Sequence, residues 1–458
     1  MWNDTIIARS TPDGIGAIGI IRITGSDTHH IARRIISSYP DSDRLVPRKL
    51  YMGQLKNSRQ ELLDEITFIP YIAPRSYTGE DILEIFCHGN NILINCIISF
   101  FIDQGARLAL PGEFTRRSFM NGKMDLTQAE SVAELISAET EQQLKTAAAM
   151  LSGAFGEKIH ALRQNLILLI SWVEASIDFP EEDDAVSVRR PELLQKLEDV
   201  TAQVRMLKDS YQEGKLIREG MTVTIAGDTN VGKSSLMNAL FEEEKSIVTP
   251  IHGTTRDIVE GSLRIGGMKM VIRDTAGLRA PEGLIEEEGI RRARKSIDQA
   301  DVVLYVVSAE REEIPTEREF LASLQKQGKF CVAVVNKTDI RPVEHIRWAK
   351  ELNCTVCFTS ALNHSGIEEV KNALKQAAYK EIDKSHQYEF TVNQRQFLSL
   401  SCGLDALERT KKALEDNLSE EFVVEHLKEA SASLAEIIGE VSAEHILDTI
   451  FEQFCIGK

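Results

Sequence analysis

Residues Gly227 to Ser234 read Gly-Asp-Thr-Asn-Val-Gly-Lys-Ser, the spacing G-x-x-x-x-G-K-S. Glycines at that spacing let successive backbone N–H groups turn inward on phosphate oxygens, and a following helix adds its positive N-terminal end. Val223 and Ile225 before the loop predict a strand, and Leu236, Met237, Ala239 and Leu240 after it predict a helix. The chemistry this suits is hydrolysis of a nucleoside triphosphate. Lys233 puts a point charge on the β and γ phosphates, the Ser234 hydroxyl is the expected Mg²⁺ ligand, and Asn230, Val231, Gly232 and Ser235 complete the phosphate surroundings.

Three further segments extend the site. Met270, Val271 and Ile272 lead into Asp274-Thr275-Ala276-Gly277, where a carboxylate at a strand end serves the Mg²⁺ hydration shell and Gly277 offers its N–H to the γ phosphate. Between them, Gly253-Thr254-Thr255-Arg-Asp257 carries two hydroxyls on a loop able to close over Mg²⁺, with Thr255 as the expected ligand. Asn336-Lys337-Thr-Asp339 follows the apolar run Val332 to Val335 and selects the base. The Asp339 carboxylate accepts from both the ring N–H and the exocyclic amine of guanine, whereas adenine offers no such donor pair. Ser360-Ala361, after the next strand-like run, completes a guanine pocket, so GTP is the expected ligand. Leu278 stands where many small GTPases carry the glutamine that orients the attacking water. A leucine cannot do that, so hydrolysis needs another polar residue, and Glu286, Glu287 and Glu288 follow in the loop expected to move. Asn230 adds a side-chain oxygen beside the phosphates, suited to a hard monovalent cation.

Positioning these residues takes a parallel α/β sheet. Residues from about 217 to 378 alternate strand-like runs, Val302 to Val307 and Cys331 to Val335, with polar helical stretches. Helical spacing flanks this segment on both sides: Phe155, Ile159, Leu162, Leu166, Leu169 and Val173 before it, then Phe397, Leu400, Leu404, Leu407, Leu414 and Leu418, and Val423, Leu427, Ala430, Leu434 and Ile437 after it. Neither stripe can stay in water. One all-α domain built from both blocks, with the nucleotide domain inserted between them, is therefore expected. Asp178-Phe-Pro180 followed by Glu181, Glu182, Asp183 and Asp184 predicts an acidic loop closing the first block. Residues 1 to about 118 read as α+β, with strands predicted around Ile18 to Ile23 and Asp81 to Phe86. The expected division is 1–118, 119–215, 216–378 and 379–458.

A chain of 458 residues holds roughly two to four such domains. Its formal charge of −17 argues against a general nucleic-acid binder, since non-specific affinity comes from Lys and Arg on phosphates. Arg116, Arg117 and Lys123 form a small basic cluster, expected to be solvated surface. Seven scattered cysteines predict reduced thiols in the cytoplasm. Cys354 and Cys357 spell C-x-x-C but fall in a strand-like run, where such positions face opposite ways, so core packing is expected for them. No apolar window reaches the span of a membrane helix, and the first residues do not read as a signal peptide.

Leu278 in place of glutamine, a GTPase segment between helical blocks, and the ending Phe454-Cys455-Ile456-Gly457-Lys458 together resemble the MnmE (TrmE) tRNA modification GTPases. The likeness extends over essentially the whole chain, through Gly-Ile-Ile-Arg22-Ile, Tyr77-Thr-Gly-Glu80-Asp, Pro111-Gly-Glu-Phe114, Asn121-Gly-Lys-Met-Asp125-Leu-Thr-Gln-Ala-Glu130 and Ile177-Asp-Phe-Pro180. The resemblance implies a homodimer joined through an N-terminal domain that binds 5-formyl-tetrahydrofolate or a related one-carbon folate, with GTPase domains that meet across K⁺. It also implies an FAD-dependent partner (MnmG), with which such proteins build an aminomethyl or carboxymethylaminomethyl group on carbon 5 of the wobble uridine of tRNA. By the same resemblance Arg22, Glu84, Lys123 and Lys458 contact the folate, while Asn230, Thr249, Ile251 and Thr254 surround K⁺. Ser234 and Thr255 hold Mg²⁺, Pro250 and His252 join the GTP contacts, and Glu286 orients the water. Cys455 is the one thiol expected outside the core, in a tail tucked toward a pocket, and is a candidate catalytic residue. A rival reading is a switch GTPase of ribosome assembly, which expects an RNA-binding module. No basic-flanked G-x-x-G loop follows the GTPase segment to supply one.

Overall fold

The computed structural model describes residues 4–41, 44–56, 61–178, 183–242, 260–274, 294–385, 388–441 and 444–458. The architecture is α/β plus all-α. Contacts divide it into two units, one of residues 1–137, 147–205 and 398–458, the other of residues 138–146 and 206–397.

The first unit opens with strands β1 (Ile6–Arg9), β2 (Gly16–Thr24), β3 (Ile36–Ser37), β4 (Tyr51–Lys56), β5 (Leu62–Tyr71), β6 (Ile82–Gly89) and β7 (Arg107–Leu108), arranged in the order β3-β4-β5-β6-β2-β1-β7. The strand expected around Ile18 to Ile23 forms as β2, but its buried face is Ile21 and Ile23, while Ile18 is exposed and Ile20 and Arg22 are half-buried. One sheet face packs Ile94, Ile97 and Phe101 of the helix Asn91–Asp103, whose start is capped by Asn90 accepting from the Ile92 and Leu93 N–H groups.

In the same unit, Phe155, Ile159, Leu162, Leu166, Leu169 and Val173 are all buried on one face of the helix Ala154–Asp178, which packs against the helix Glu420–Ile438. That helix buries Val423, Leu427, Ala430, Leu434 and Ile437, so both predicted stripes meet in one core. Leu418 departs from its stripe: it lies beyond the helix Gln394–Glu415 and is exposed, because that helix ends one turn earlier than the spacing implied. The expected acidic loop is corrected in part. Asp183 and Asp184 open the helix Asp183–Asp209, and Glu181 and Glu182 lie outside the described residues.

The basic cluster also departs from expectation. Arg117 is fully buried and donates to the Asp4 carbonyl and carboxylate, Glu80 and Glu113 at 2.8–3.1 Å. Arg116 pairs with Asp448 at 2.7 Å, and Lys123 donates to the Pro74 carbonyl. Carboxylates, most of them distant in sequence, take up the two guanidinium charges, while Lys123 stays exposed as expected. Cys402 is exposed along with Cys455, whereas Cys357 is buried and its thiol is pushed up to about 11 by burial. That favours packing over redox chemistry for the C-x-x-C pair.

The second unit holds β8 (Met221–Ala226), β9 (Glu260–Ile265), β10 (Met268–Asp274), β11 (Val302–Ser308), β12 (Phe330–Asn336) and β13 (Thr355–Phe358) in the order β13-β12-β11-β8-β10-β9. All neighbours are parallel except β9, which returns antiparallel on β10. The central strands are continuous apolar runs because both faces are covered. The helices Lys233–Glu242 and Ile367–Ser385 cover one face, and Leu321 and Leu324 of the helix Pro315–Lys326 help cover the other.

The helix Tyr211–Glu219 leads into β8 and carries Glu213, whose Oε2 is buried with no hydrogen-bond partner among the described residues. Burial pushes this carboxyl up to about 7, so a folded-state cost sets in as pH rises from the ordinary 4.5 through about 7. Glu213→Gln removes that ionisation. It is expected to melt above the parent protein at pH 8 and level with it at pH 4.5, read by thermal denaturation at both values; equal melting at pH 8 would contradict the assignment.

Candidate functional site

Parallel strands bring their C-terminal ends to one edge of the second sheet, where α/β folds place ligands. The phosphate loop leaves β8 there, the Ser308–Asn336 pair ends β11 and β12, Asp274 ends β10, and Ser360 and Ala361 follow β13. Gly227 has φ 139° and Gly232 φ 94°, in the region glycine favours. A Cβ on Gly227 would stand 2.2 Å from the Val306 carbonyl oxygen, and one on Gly232 would stand 2.2 Å from Asn336 Nδ2. Both glycines are therefore fixed by close approach of neighbouring strands as well as by the turn.

Lys233, buried at the first position of the helix Lys233–Glu242, donates through Nζ to the Gly227 and Asp228 carbonyls at 2.9 and 2.6 Å. Its ammonium is thus held inside the loop whose N–H groups would surround the phosphates. Ser234 and Ser235 are exposed on the same first turn, and Val231 is buried.

Asn336 binds the parts together. Its Nδ2 donates to the Val231 carbonyl at 3.0 Å, while its Oδ1 accepts from the Ala361 N–H at 3.1 Å and Thr359 Oγ1 at 3.2 Å. One buried amide thereby ties the phosphate loop to the base-reading segments. Asp339 Oδ1 accepts from Ser360 Oγ at 2.5 Å, which orients the carboxylate and leaves Oδ2 and the second lone pair of Oδ1 to accept from a base. Asn230 and Lys337 have φ of 60° and 67°, left-handed values that non-glycine residues adopt at a cost of roughly 1–3 kcal/mol and that concentrate at ligand sites.

The structure therefore brings together Asn230, Val231, Gly232, Lys233, Ser234, Ser235, Asn336, Lys337, Asp339, Ser360 and Ala361. Asp274 ends its strand at the same edge. Thr249, Pro250, Ile251, His252, Gly253, Thr254, Thr255, Thr275, Ala276, Gly277, Leu278 and Glu286 lie outside the described residues. Sequence reasoning did not single out Glu310 and Arg311. The signal was available: charges directly after the apolar run Val302 to Val307, at the ligand-binding end of β11.

A second cluster forms in the first unit. Arg22 and Glu84 are register partners on β2 and β6 and make an ion pair of 2.7 Å, with the Arg22 guanidinium 5.5 Å from the Tyr77 ring centroid and 5.9 Å from that of Phe114. The chain's last residues dock here. Ile456 bridges Pro111, the Phe114 N–H donates to the Lys458 carbonyl at 3.2 Å, and a Cβ on Gly457 would stand 2.1 Å from the Arg9 carbonyl oxygen. Burial first and the Arg22 charge second push the Lys458 ammonium down, while the charges of Glu84 and Cys455 act in the opposite sense. Other motif residues hold local structure: Thr78 Oγ1 meets Thr24 Oγ1 at 2.7 Å, and Asp125 accepts from the Gln128 N–H at 2.9 Å to cap the helix Leu126–Ser137.

A family model described as the MnmE helical domain matches residues 126–455, and one described as the GTP-binding protein TrmE N-terminus matches residues 5–123. The chain belongs to the MnmE family of tRNA modification GTPases. Among MnmE relatives, that of Aquifex aeolicus (strain VF5) is 38% identical over 456 residues, 99% of this chain and 100% of that one. That of Syntrophus aciditrophicus (strain SB) is 38% identical over 466 residues, 100% of both. A solved G domain of the T. maritima FeoB iron transporter is 26% identical, covers 34% of this chain and 98% of that one, and superposes with a TM-score of 0.27. As an MnmE-family GTPase, the chain is a GTP hydrolase. No helix among the described residues is long and apolar enough to cross a membrane.

Proposed function

We propose that the chain is the GTP-hydrolysing subunit of a cytoplasmic tRNA wobble-uridine modification complex. It acts as a homodimer with an FAD-dependent MnmG partner to add an aminomethyl or carboxymethylaminomethyl group at carbon 5 of uridine. In this reading residues 1–118 bind the folate and dimerise, residues 216–378 form the GTPase domain, and residues 119–215 and 379–458 form the helical domain. The observation that carries the modification reading over a ribosome-assembly switch is the docked tail: Ile456 bridges Pro111 and the Phe114 N–H donates to the Lys458 carbonyl at 3.2 Å, with the Phe114 ring 5.9 Å from the Arg22 guanidinium.

The residues present fit a flat, anionic one-carbon folate: Glu84 can accept from ring N–H donors, Arg22 and Lys458 can meet carboxylates, and Tyr77 and Phe114 offer faces. The folate would supply the one-carbon unit. Lys123, at the Pro74 carbonyl, is proposed as its fourth contact. Exposed Ile15, Ile18 and Ile92 in the N-terminal segment support a dimer face. At the other site, Lys233 meets the β and γ phosphates, and Ser234 with Thr255 holds Mg²⁺. Asn230, Thr249, Ile251 and Thr254 hold K⁺, Asp274 serves the Mg²⁺ shell, and Glu286 orients the water that Leu278 cannot.

One assay set tests this. GTP turnover should rise with protein concentration in K⁺ and fall when Na⁺ replaces it. Glu286→Ala should slow hydrolysis by about 10²-fold with nucleotide affinity kept. Nucleoside analysis of tRNA from cells lacking the chain should show the modified wobble uridine lost, and Cys455→Ser should fail to restore it. Unchanged tRNA in those cells would overturn the modification reading, and equal rates in both salts would remove Asn230 from the mechanism.

A further inference from the structure

Two consecutive charged residues after β11 reach across the nucleotide edge in different directions. Arg311 makes an ion pair with Asp228, the second residue of the phosphate loop, and Glu310 makes one of 2.9 Å with Lys337 of the base-reading segment. The loop carrying them is pinned. Trp348 Nε1 and Arg341 Nη1 donate to the Arg311 carbonyl at 3.0 and 3.2 Å, and Ser308 Oγ donates to Glu310 at 3.0 Å. Glu317, itself buried, lies 3.4 Å from Arg311 Nη1, so the guanidinium is presented between two carboxylates.

Asp228 is the residue that needs this partner. Its own carbonyl accepts from the Lys233 ammonium at 2.6 Å, so it sits next to the lysine that would meet the phosphates. It is also backed by Tyr305, whose hydroxyl is pushed up to about 12, by burial first and by Asp228 second. A carboxylate in that position repels a triphosphate. Screening by salt acts over about 8–10 Å and only partly removes repulsion at shorter range against a protein wall. Arg311 and Asp228 side chains are 46% and 50% exposed, so their pair adds little to the stability of the fold. What it changes is the charge that an incoming nucleotide meets.

We propose that Arg311 is a positioning residue for nucleotide binding: it cancels the Asp228 charge at the phosphate loop and so sets the affinity for GTP and GDP without entering the hydrolytic step. This rests on the GTP reading of the site. It names a determinant that lies in neither the phosphate loop nor the base-reading motif.

The test uses the full chain in Mg²⁺ and K⁺, with equilibrium binding of fluorescent GTP and GDP analogues alongside kcat and KM. Arg311→Ala is expected to weaken both nucleotides by about tenfold, raising KM while kcat stays within about twofold, and the loss shrinks as salt rises. Asp228→Asn tightens binding, Arg311→Lys keeps it, and the double variant Asp228→Asn/Arg311→Ala returns to within about twofold of the parent. Unchanged affinity in Arg311→Ala overturns the proposal, as does a double variant as weak as Arg311→Ala alone, which would mean that Arg311 only holds the loop. Should Arg311→Ala fail to fold, weaker binding by Asp228→Asn alone overturns it. Failure of the GTP reading looks different: the parent protein itself would then show no preference for GTP over ATP.

Discussion

Asp339→Asn is expected to lower GTP affinity by about 10²–10⁴-fold and to let XTP bind in its place. The Asp339 carboxylate already accepts from Ser360 Oγ at 2.5 Å, and Ser360 is held in turn by backbone hydrogen bonds with Ser365 in both directions. The group therefore arrives at the base pre-oriented. An ionised carboxylate accepts only, which matches the paired ring N–H and amine of guanine; an amide turns one acceptor into a donor and sets N–H against N–H. Xanthine replaces that amine with a carbonyl and restores the match. Competition binding of GTP and XTP to both proteins reads the outcome directly, and retained GTP selectivity in the variant would remove Asp339 from base recognition. Asn336 should not behave this way. Its amide is spent on Val231, Thr359 and Ala361, so its loss loosens the loop for every nucleotide.

The second large effect is on stability. Arg117→Met is expected to destabilise the first unit by about 3–5 kcal/mol, because it strips the shared cation from the buried Glu113 and the partly buried Asp4 and Glu80. Arg117 is fully buried, and Glu113 beside it is 3% exposed. Burial pushes the Glu113 carboxyl up, but hydrogen bonds from Arg107, the Leu110 N–H and Arg117 outweigh it and hold the group below its ordinary 4.5. Arg107 and Arg117 likewise outweigh burial at Asp4 and hold it below 3.8. A depressed folded value means that this stabilisation is present above pH 4.5 and is lost as pH falls below it through the folded values. Calorimetry should therefore show the variant melting far lower at pH 7 and the gap narrowing toward pH 3. A gap independent of pH would mean that Arg117 acts through packing alone. The cluster also matters for the tail. The helix Glu113–Met120 carries Arg116, which pairs with Asp448 at 2.7 Å, and Phe114, whose N–H meets the Lys458 carbonyl, so weakening it should release the chain's end.

Much of this was legible in one dimension. Phosphate-loop chemistry depends on residues adjacent in sequence, so Gly227 to Ser234 announces itself, and Asn336 to Asp339 does so for the same reason. Apolar spacing located the helices Ala154–Asp178 and Glu420–Ile438 because burial must follow the 3.6-residue turn. The errors share a cause. Arg117 read as solvent-facing because its partners Asp4 and Glu80 come from distant segments, and Leu418 read as core because periodicity carries no marker for where a helix stops.

The sequence by itself determined the guanine nucleotide and a sheet flanked by helical blocks, since each follows from local spacing and the need to bury apolar faces. Tertiary structure alone decided which charges neutralise one another. It paired Arg22 with Glu84, buried Arg117 among carboxylates, and set Arg311 against Asp228. Electrostatic partners are chosen by distance in space, and residues 83 positions apart in the chain become neighbours only when two strands of one sheet deliver them to the same edge.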